Sequence, residues 1–207
     1  MARTTVWVKF PTLVVVSSRS LTGVQPAEFE EALRQLAAAR LRSEITLSEV
    51  PAPSRIAPWS VAFTAEVASG DDDELANGRF VLLHDPSVPE SWGGAWRCVT
   101  YARAEMEPEL ASDPMLGTVG WSWLEESLAR HEVDHVAEAG TVTRVVSESY
   151  GALADRPPSI DLEIRASWTA PGPQVRAHLE AWADLLCTIG GLPPLPEGVV
   201  ALPARRR

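Results

Sequence analysis

Several stretches of the chain alternate apolar and polar residues with the two-residue period of a β-strand. The clearest covers 159–168, whose apolar side consists of Ile160, Leu162, Ile164, Ala166 and Trp168. A second covers 59–68, and weaker patterns predict strands at 45–50, 96–106 and 141–149. The continuous apolar run at 80–83 is typical of a central strand covered on both faces. The polar stretch 70–78 is predicted to be a loop.

Three stretches show instead the spacing of an amphipathic helix. The first, 26–42, opens with Pro26 and with acidic residues that favour a helix N-terminus. The second runs from Val119 to about His131, and its apolar face carries Trp121, Leu124 and Leu128. The third begins near Pro173 and ends at Gly190 and Gly191. Its apolar face consists of Val175, Leu179, Trp182, Leu186 and Ile189.

The predicted elements follow the order α-β-β-β-β-α-β-β-α. Most connections between consecutive strands are too short for the crossover that parallel strands need, which favours antiparallel pairing. We therefore predict an α+β fold in a single two-layer domain over 25–195, with the helices on one face of the sheet. Residues 1–24 are expected to be a poorly ordered leader, native or not, and 196–207 a tail. The element order is similar to that of secretion-chaperone-like domains, a likeness of fold alone.

The side of the sheet away from the helices is predicted to carry mixed charges. Its members are Arg97, Arg103, Glu105, Arg144, Glu148, Asp161, Glu163 and Arg165. A face of this kind is most often simply solvated. The alternative is that it receives a partner, because rows of opposite charges fix the register of an incoming segment.

Composition and charge narrow the range of partners and compartments. The 207 residues suffice for one buried core, and the net charge of −10 repels phosphate backbones, so no nucleic-acid partner is expected. Cys98 and Cys187 are predicted to be buried free thiols, which suits a reducing cytoplasm. No segment reaches the ~20 apolar residues that span a bilayer, and the apolar run near Leu13 is too short for a secretory signal. We expect a soluble, cytoplasmic protein without a membrane partner; the sequence leaves the oligomeric state open.

One short motif suggests catalysis. His131-Glu-Val-Asp-His135 matches the zinc pattern H-E-x-x-H, in which two histidines on one helical face bind the metal and the glutamate activates water. Asp134 places a charge inside the motif, and no further histidine follows at metal-ligand spacing. We therefore expect two histidines near a helix C-terminus and no metal. The alternative is a zinc-dependent hydrolase that uses His131, Glu132 and His135.

The other candidate residues surround the end of the run at 80–83. His84 and Asp85 could form a catalytic pair, but no serine or cysteine nucleophile motif accompanies them, which favours a structural role. Trp92 and Trp96 flank two glycines, and an exposed tryptophan is a common binding anchor. We predict that the loop 86–95 borders a recognition surface with Trp92, Trp96, His84 and Asp85 as candidate binding residues. The alternative is a loop tryptophan folded onto the sheet edge.

Several segments together resemble the actinobacterial domain-of-unknown-function family three thousand. They include Ser48-Glu-Val-Pro-Ala-Pro-Ser-Arg-Ile-Ala-Pro58, Gly78-Arg-Phe-Val-Leu-Leu-His-Asp-Pro86, Val119-Gly-Trp-Ser-Trp-Leu124 and Leu162-Glu-Ile-Arg-Ala-Ser-Trp-Thr169. The resemblance covers about residues 26–202 and implies a bacterial origin and a compact single domain. The resemblance implies no activity, ligand or catalytic residue. Because no catalytic or glycine-rich phosphate motif stands out, we predict a non-catalytic binding or adaptor module for a protein or peptide, with no cofactor.

Overall fold

The computed structural model describes residues 25–69 and 73–193. Within these residues the strands are β1 (Ile45–Val50), β2 (Trp59–Ser69), β3 (Asp73–His84), β4 (Trp96–Met106), β5 (Val136–Ser147) and β6 (Ser159–Ala170). The α-helices are α1 (Ala27–Ala37), α2 (Leu116–Arg130) and α3 (Arg176–Ile189). Single 3-10 turns lie at Pro108–Ser112 and Gly151–Leu153. The predicted order of elements is confirmed.

The six strands form one sheet in the order β1-β2-β3-β4-β6-β5, and every neighbouring pair is antiparallel. The strand β6 therefore lies between β4 and β5, although it follows both in the chain. Helix α2 provides the connection from β4 to β5. The predicted α+β class with a mostly antiparallel sheet is confirmed.

The main core lies between the sheet and the three helices. The apolar side of β6 is buried as the alternation predicts, from Ile160 (0% exposed) to Trp168 (0% exposed). Helix α3 buries its whole predicted face, and α1 inserts Phe29 against Trp59 and Trp96. Cys98 and Cys187 are buried free thiols, also as predicted. The helices thus cover one side of the sheet and leave the other open.

The prediction of a loop over 70–78 is wrong for residues 73–78, which form the first half of β3; residues 70–72 lie outside the described part. The prediction is wrong because glycine is typical of loops, and Gly78 ends the polar stretch. A Cβ atom at Gly78 would lie 2.5 Å from the carbonyl oxygen of Tyr101 and 2.8 Å from the ring of Trp182. The glycine therefore marks the place where α3 packs closely on the sheet, and the strand continues through it.

Gly140 has the same role on the same, helix-facing side of the sheet, at the edge strand β5. A glycine beyond the second helix is typical of a helix stop region, but Gly140 lies inside β5, and a Cβ atom there would collide with the ring of Trp121. Helix α1 is shorter than predicted and ends at Ala37. Arg144 was expected on the outer face; it pairs with Leu162 and so faces the helices, where its guanidinium donates to the carbonyl of Asp113.

Candidate binding groove on the open face of the sheet

The register of four strands builds two parallel rows of side chains on the open face. One row has long side chains on β3, β4 and β6, which are Arg79, Tyr101 and Arg165, and ends on β5 at the shorter Thr141. The neighbouring row contains short side chains and runs as Val81, Val99, Ser167 and Ala139. Because paired residues of antiparallel strands point to the same side, the long row stands as a wall beside the short row.

The two rows enclose a groove of about 460 Å³. Its floor includes Val99, which stays 38% exposed although it lies in the middle of a central strand. The groove reaches β5 at Ala139, Gly140 and Thr141. A volume of this size is in the range of ligand sites and accepts a few side chains of an extended segment.

The wall of the groove is held by a small polar network. The hydroxyl of Tyr101 donates to Glu163 at 3.1 Å, and Arg165 pairs with the same carboxylate at 2.6 Å. The Arg165 guanidinium also lies over the Tyr101 ring, 5.1 Å from its centroid. Burial, together with the bond to Glu163, raises the pKa of the Tyr101 hydroxyl, which therefore remains protonated and can donate.

Arg97 lies beside the Ser167 end of the groove, one row further along the open face, and is only 9% exposed. Its guanidinium donates to neutral acceptors on β6 and β5: the hydroxyls of Ser167 (2.7 Å) and Thr169 (3.0 Å) and the carbonyls of Ser167 and Ala137. Burial lowers the pKa of Arg97, but the group stays charged at neutral pH. No carboxylate of residues 25–69 or 73–193 forms an ion pair with it.

The loop that contains Trp92 closes this end of the open face. Trp92 is half-buried and packs, with Val50 and Ala52, on a small apolar cluster made of Ala57, Ala62, Val81 and Leu83. Its carbonyl accepts a hydrogen bond from the Thr169 hydroxyl. Val81 belongs both to this cluster and to the groove. The loop therefore borders the groove, whereas a role in binding remains a prediction.

Of the other three predicted binding residues, two lie in the main core and one holds a turn. Trp96 (3% exposed) and His84 (2% exposed) lie in the main core, stacked 3.9 Å apart. Burial lowers the pKa of His84, whose Nδ1 lies 3.3 Å from the Ala95 carbonyl. The carboxylate of Asp85 accepts from the Ser87 amide at 2.9 Å and holds the following turn. His84 and Trp96 thus pack in the core beneath the loop, and Asp85 stabilises a turn of the loop.

The H-E-x-x-H motif does not form the helical arrangement that zinc binding requires. Helix α2 ends at Arg130, and Glu132 has a positive φ of 51°. His131 Nε2 lies 3.5 Å from Asp184, whereas His135 Nε2 lies 3.1 Å from Glu138. Among the described residues, no three His, Cys, Asp or Glu side chains converge as a metal-ligand set. His131 and His135 therefore do not lie on one helical face, as the zinc motif would require.

His131 instead belongs to a polar cleft of about 180 Å³ between the helices, with Arg40, Arg42, Arg130 and Asp184. Arg130 and His131 both contact the Asp184 carboxylate. Burial alone would raise the pKa of Asp184, but these two bonds outweigh it and the pKa is lowered. The cleft is lined by three arginines and His131 against the two acids Glu180 and Asp184, and the contacts of Asp184 with Arg130 and His131 join α2 to α3.

The residues that form the groove could not be identified as a site from the sequence. Arg97 and Arg165 are present in the predicted outer face, but Val99, Tyr101 and Ser167 occupy ordinary alternating positions. The alternation in β4 and β6 predicts two strands, but it does not predict that they pair with each other in the middle of the sheet. The register that aligns the short and long side chains arises from pairing between distant segments.

None of the helices in the described ranges has the length and apolar composition required to cross a membrane. Comparison with curated proteins and with solved structures found no match. The model of one family, a protein of unknown function (DUF3000), matches residues 25–200, which is most of the chain and agrees with the resemblance of its segments. The chain therefore belongs to the DUF3000 family.

Proposed function

We propose that this protein is a non-catalytic binding module that holds an extended segment of a protein partner in the groove on its open sheet face. The observation that carries the proposal is the groove itself, with an exposed apolar floor at Val99 and a wall at Tyr101 and Arg165. Many antiparallel sheets expose one face to water with polar side chains only. This face differs because short residues in register open a recess between longer ones.

Rigidity of the groove supports the same function. Its residues lie on β3, β4, β5 and β6, and the contacts of Tyr101 and Arg165 with Glu163 hold the wall in one arrangement. A site whose side chains are already ordered loses less conformational entropy when it binds. An extended segment also matches a groove that runs across strands and opens at the edge strand β5.

Two matched valine variants test this function. Val99 and Val145 both lie on the open face with similar exposure, 38% and 39%, but Val145 does not line the groove. We expect Val99→Gln to fill the recess and prevent capture of the partner, and Val145→Gln to leave capture unchanged. The measurement is affinity isolation from the native cell with each variant, quantified by mass spectrometry. Equal recovery of every co-purifying protein with Val99→Gln and wild type would refute the proposal.

A further inference from the structure

The charges that line the groove differ from those of the chain as a whole. The chain has 28 acidic and 18 basic residues. The groove is lined by two arginines, Arg79 and Arg165, and by no aspartate or glutamate. The carboxylate of Glu163 lies nearby, but it already binds Arg165 and Tyr101. An acidic protein thus has a locally basic recess.

Arg97 adds a third positive charge beside the same recess, in the row of the open face next to the groove floor. A buried charge is normally paired, because burial without a partner is unfavourable. Arg97 is bonded by neutral oxygens, so its positive charge is not neutralised by an ion pair within the described residues. In a poorly solvated position such a charge acts on a bound group more strongly than a surface arginine does. Its effect is centred at Ser167, at the end of the groove floor.

Arg79 is the arginine that is most available to a ligand. It is exposed, and its Nη2 donates to the carbonyl of Pro51 at 2.7 Å. Tyr101 lies between Arg79 and Arg165 in the same row, so a carboxylate seated in the recess beside the Tyr101 ring would meet guanidinium donors from two sides. The apolar floor at Val99 would meanwhile contact the neighbouring residue of the segment.

We infer that the segment recognised by the groove is acidic, with an aspartate or glutamate side chain seated in the recess beside Tyr101, flanked by Arg79 and Arg165 and with Arg97 at the Ser167 end. This inference rests on the proposed function and specifies its partner. The terminal segments of the chain itself have the wrong charge. Residues 1–24 contain Arg3, Lys9 and Arg19 and no acidic residue, and residues 194–207 contain three arginines and one glutamate.

The test uses three fluorescein-labelled heptapeptides that alternate valine with glutamate, lysine or serine. We expect the valine–glutamate peptide to bind about ten-fold more tightly than the other two, as charge-assisted bonds imply. Its affinity should fall as salt is raised, because the contacts are ionic. Fluorescence anisotropy with the full-length protein measures both effects.

Matched arginine variants connect this binding to the groove. We expect Arg79→Gln to weaken the valine–glutamate peptide by about ten-fold. Arg156→Gln removes the same charge from an exposed position outside the groove lining and should change nothing. Arg97→Met removes the buried charge and should also weaken binding. Circular dichroism shows whether each variant is folded. If Arg97→Met does not fold, the test depends on the effect of Arg79→Gln on the affinity for the valine–glutamate peptide.

The outcomes separate this inference from the proposed function. If the serine peptide binds as tightly as the glutamate peptide, or Arg79→Gln has no effect, the acidic segment is refuted. The binding function then still stands when Val99→Gln prevents partner capture. If the protein self-associates through the groove, so that Arg79→Gln converts a dimer to a monomer in analytical ultracentrifugation, the occupant is a second copy and the inference is also overturned.

Discussion

The buried histidine of α3 should make the stability of this protein depend on pH. His178 is 3% exposed, and its Nδ1 accepts a hydrogen bond of 2.8 Å from the indole nitrogen of Trp168. An acceptor nitrogen carries no proton, so the ring is neutral in the folded protein. Burial, with a smaller contribution from His135, lowers the pKa of His178 from 6.5 to about 4.

The direction and size of the effect follow from this shift. In the unfolded chain His178 takes up a proton near pH 6.5, whereas in the folded protein it resists protonation until about pH 4. Between these values the unfolded state binds more protons, so the free energy of unfolding decreases as pH falls. From pH 7.5 to pH 5 this one group should remove about 2 kcal/mol of stability. Its contribution stops changing below about pH 4.

Urea unfolding followed by tryptophan fluorescence at several pH values measures this loss. The matched control is His178→Asn, which offers the Trp168 nitrogen an amide oxygen but does not titrate. The variant should be less stable at pH 7.5 and should lose about 2 kcal/mol less than wild type on acidification to pH 5. The reasoning is wrong if both proteins lose the same amount, or if NMR shows the His178 ring titrating near its ordinary pKa.

Two further predictions concern packing and reactivity. Gly78→Ala should destabilise the protein by about 2 kcal/mol in urea unfolding, because its Cβ would lie 2.5 Å from the Tyr101 carbonyl. In the control Gly117→Ala the added Cβ has nothing within 4 Å, so the free energy of unfolding should be unchanged or raised by about 0.5 kcal/mol. If both alanine variants lost the same stability, the explanation from the close contact at Gly78 would be contradicted. Burial raises the pKa of Cys187 to about 12 and also raises that of Cys98, so a thiol reagent should modify neither at pH 8 until urea is added. Rapid labelling of the native protein would show that these sites are accessible.

The elements that could be predicted from the sequence are those in which one continuous side is buried in the core, because that side then shows as a regular pattern of apolar residues. Strand β6 has one side in the core along its whole length, so its alternation is clean. Helix α3 buries nine of its residues, and its apolar face was equally clear. In both, the local pattern and the final packing require the same residues at the same positions, which is why the prediction and the structure agree.

The incorrect predictions concern residues whose type is required by contacts with other elements of the fold. Gly78 and Gly140 suggest a loop and a helix end, but each makes room for a tryptophan ring on a helix remote in sequence. The groove depends on the alignment of four strands. Charged members of the open face could be predicted, but the recess between them could not.

The position of β6 between β4 and β5 has a consequence for synthesis on the ribosome. The strand β5 pairs only with β6 in the described part of the chain, and β4 has its second neighbour only when β6 arrives. A nascent chain that ends before Ser159 therefore exposes one edge of β4 and both edges of β5. We expect such truncated products to aggregate or to be held by chaperones, and the sheet to close only late in translation.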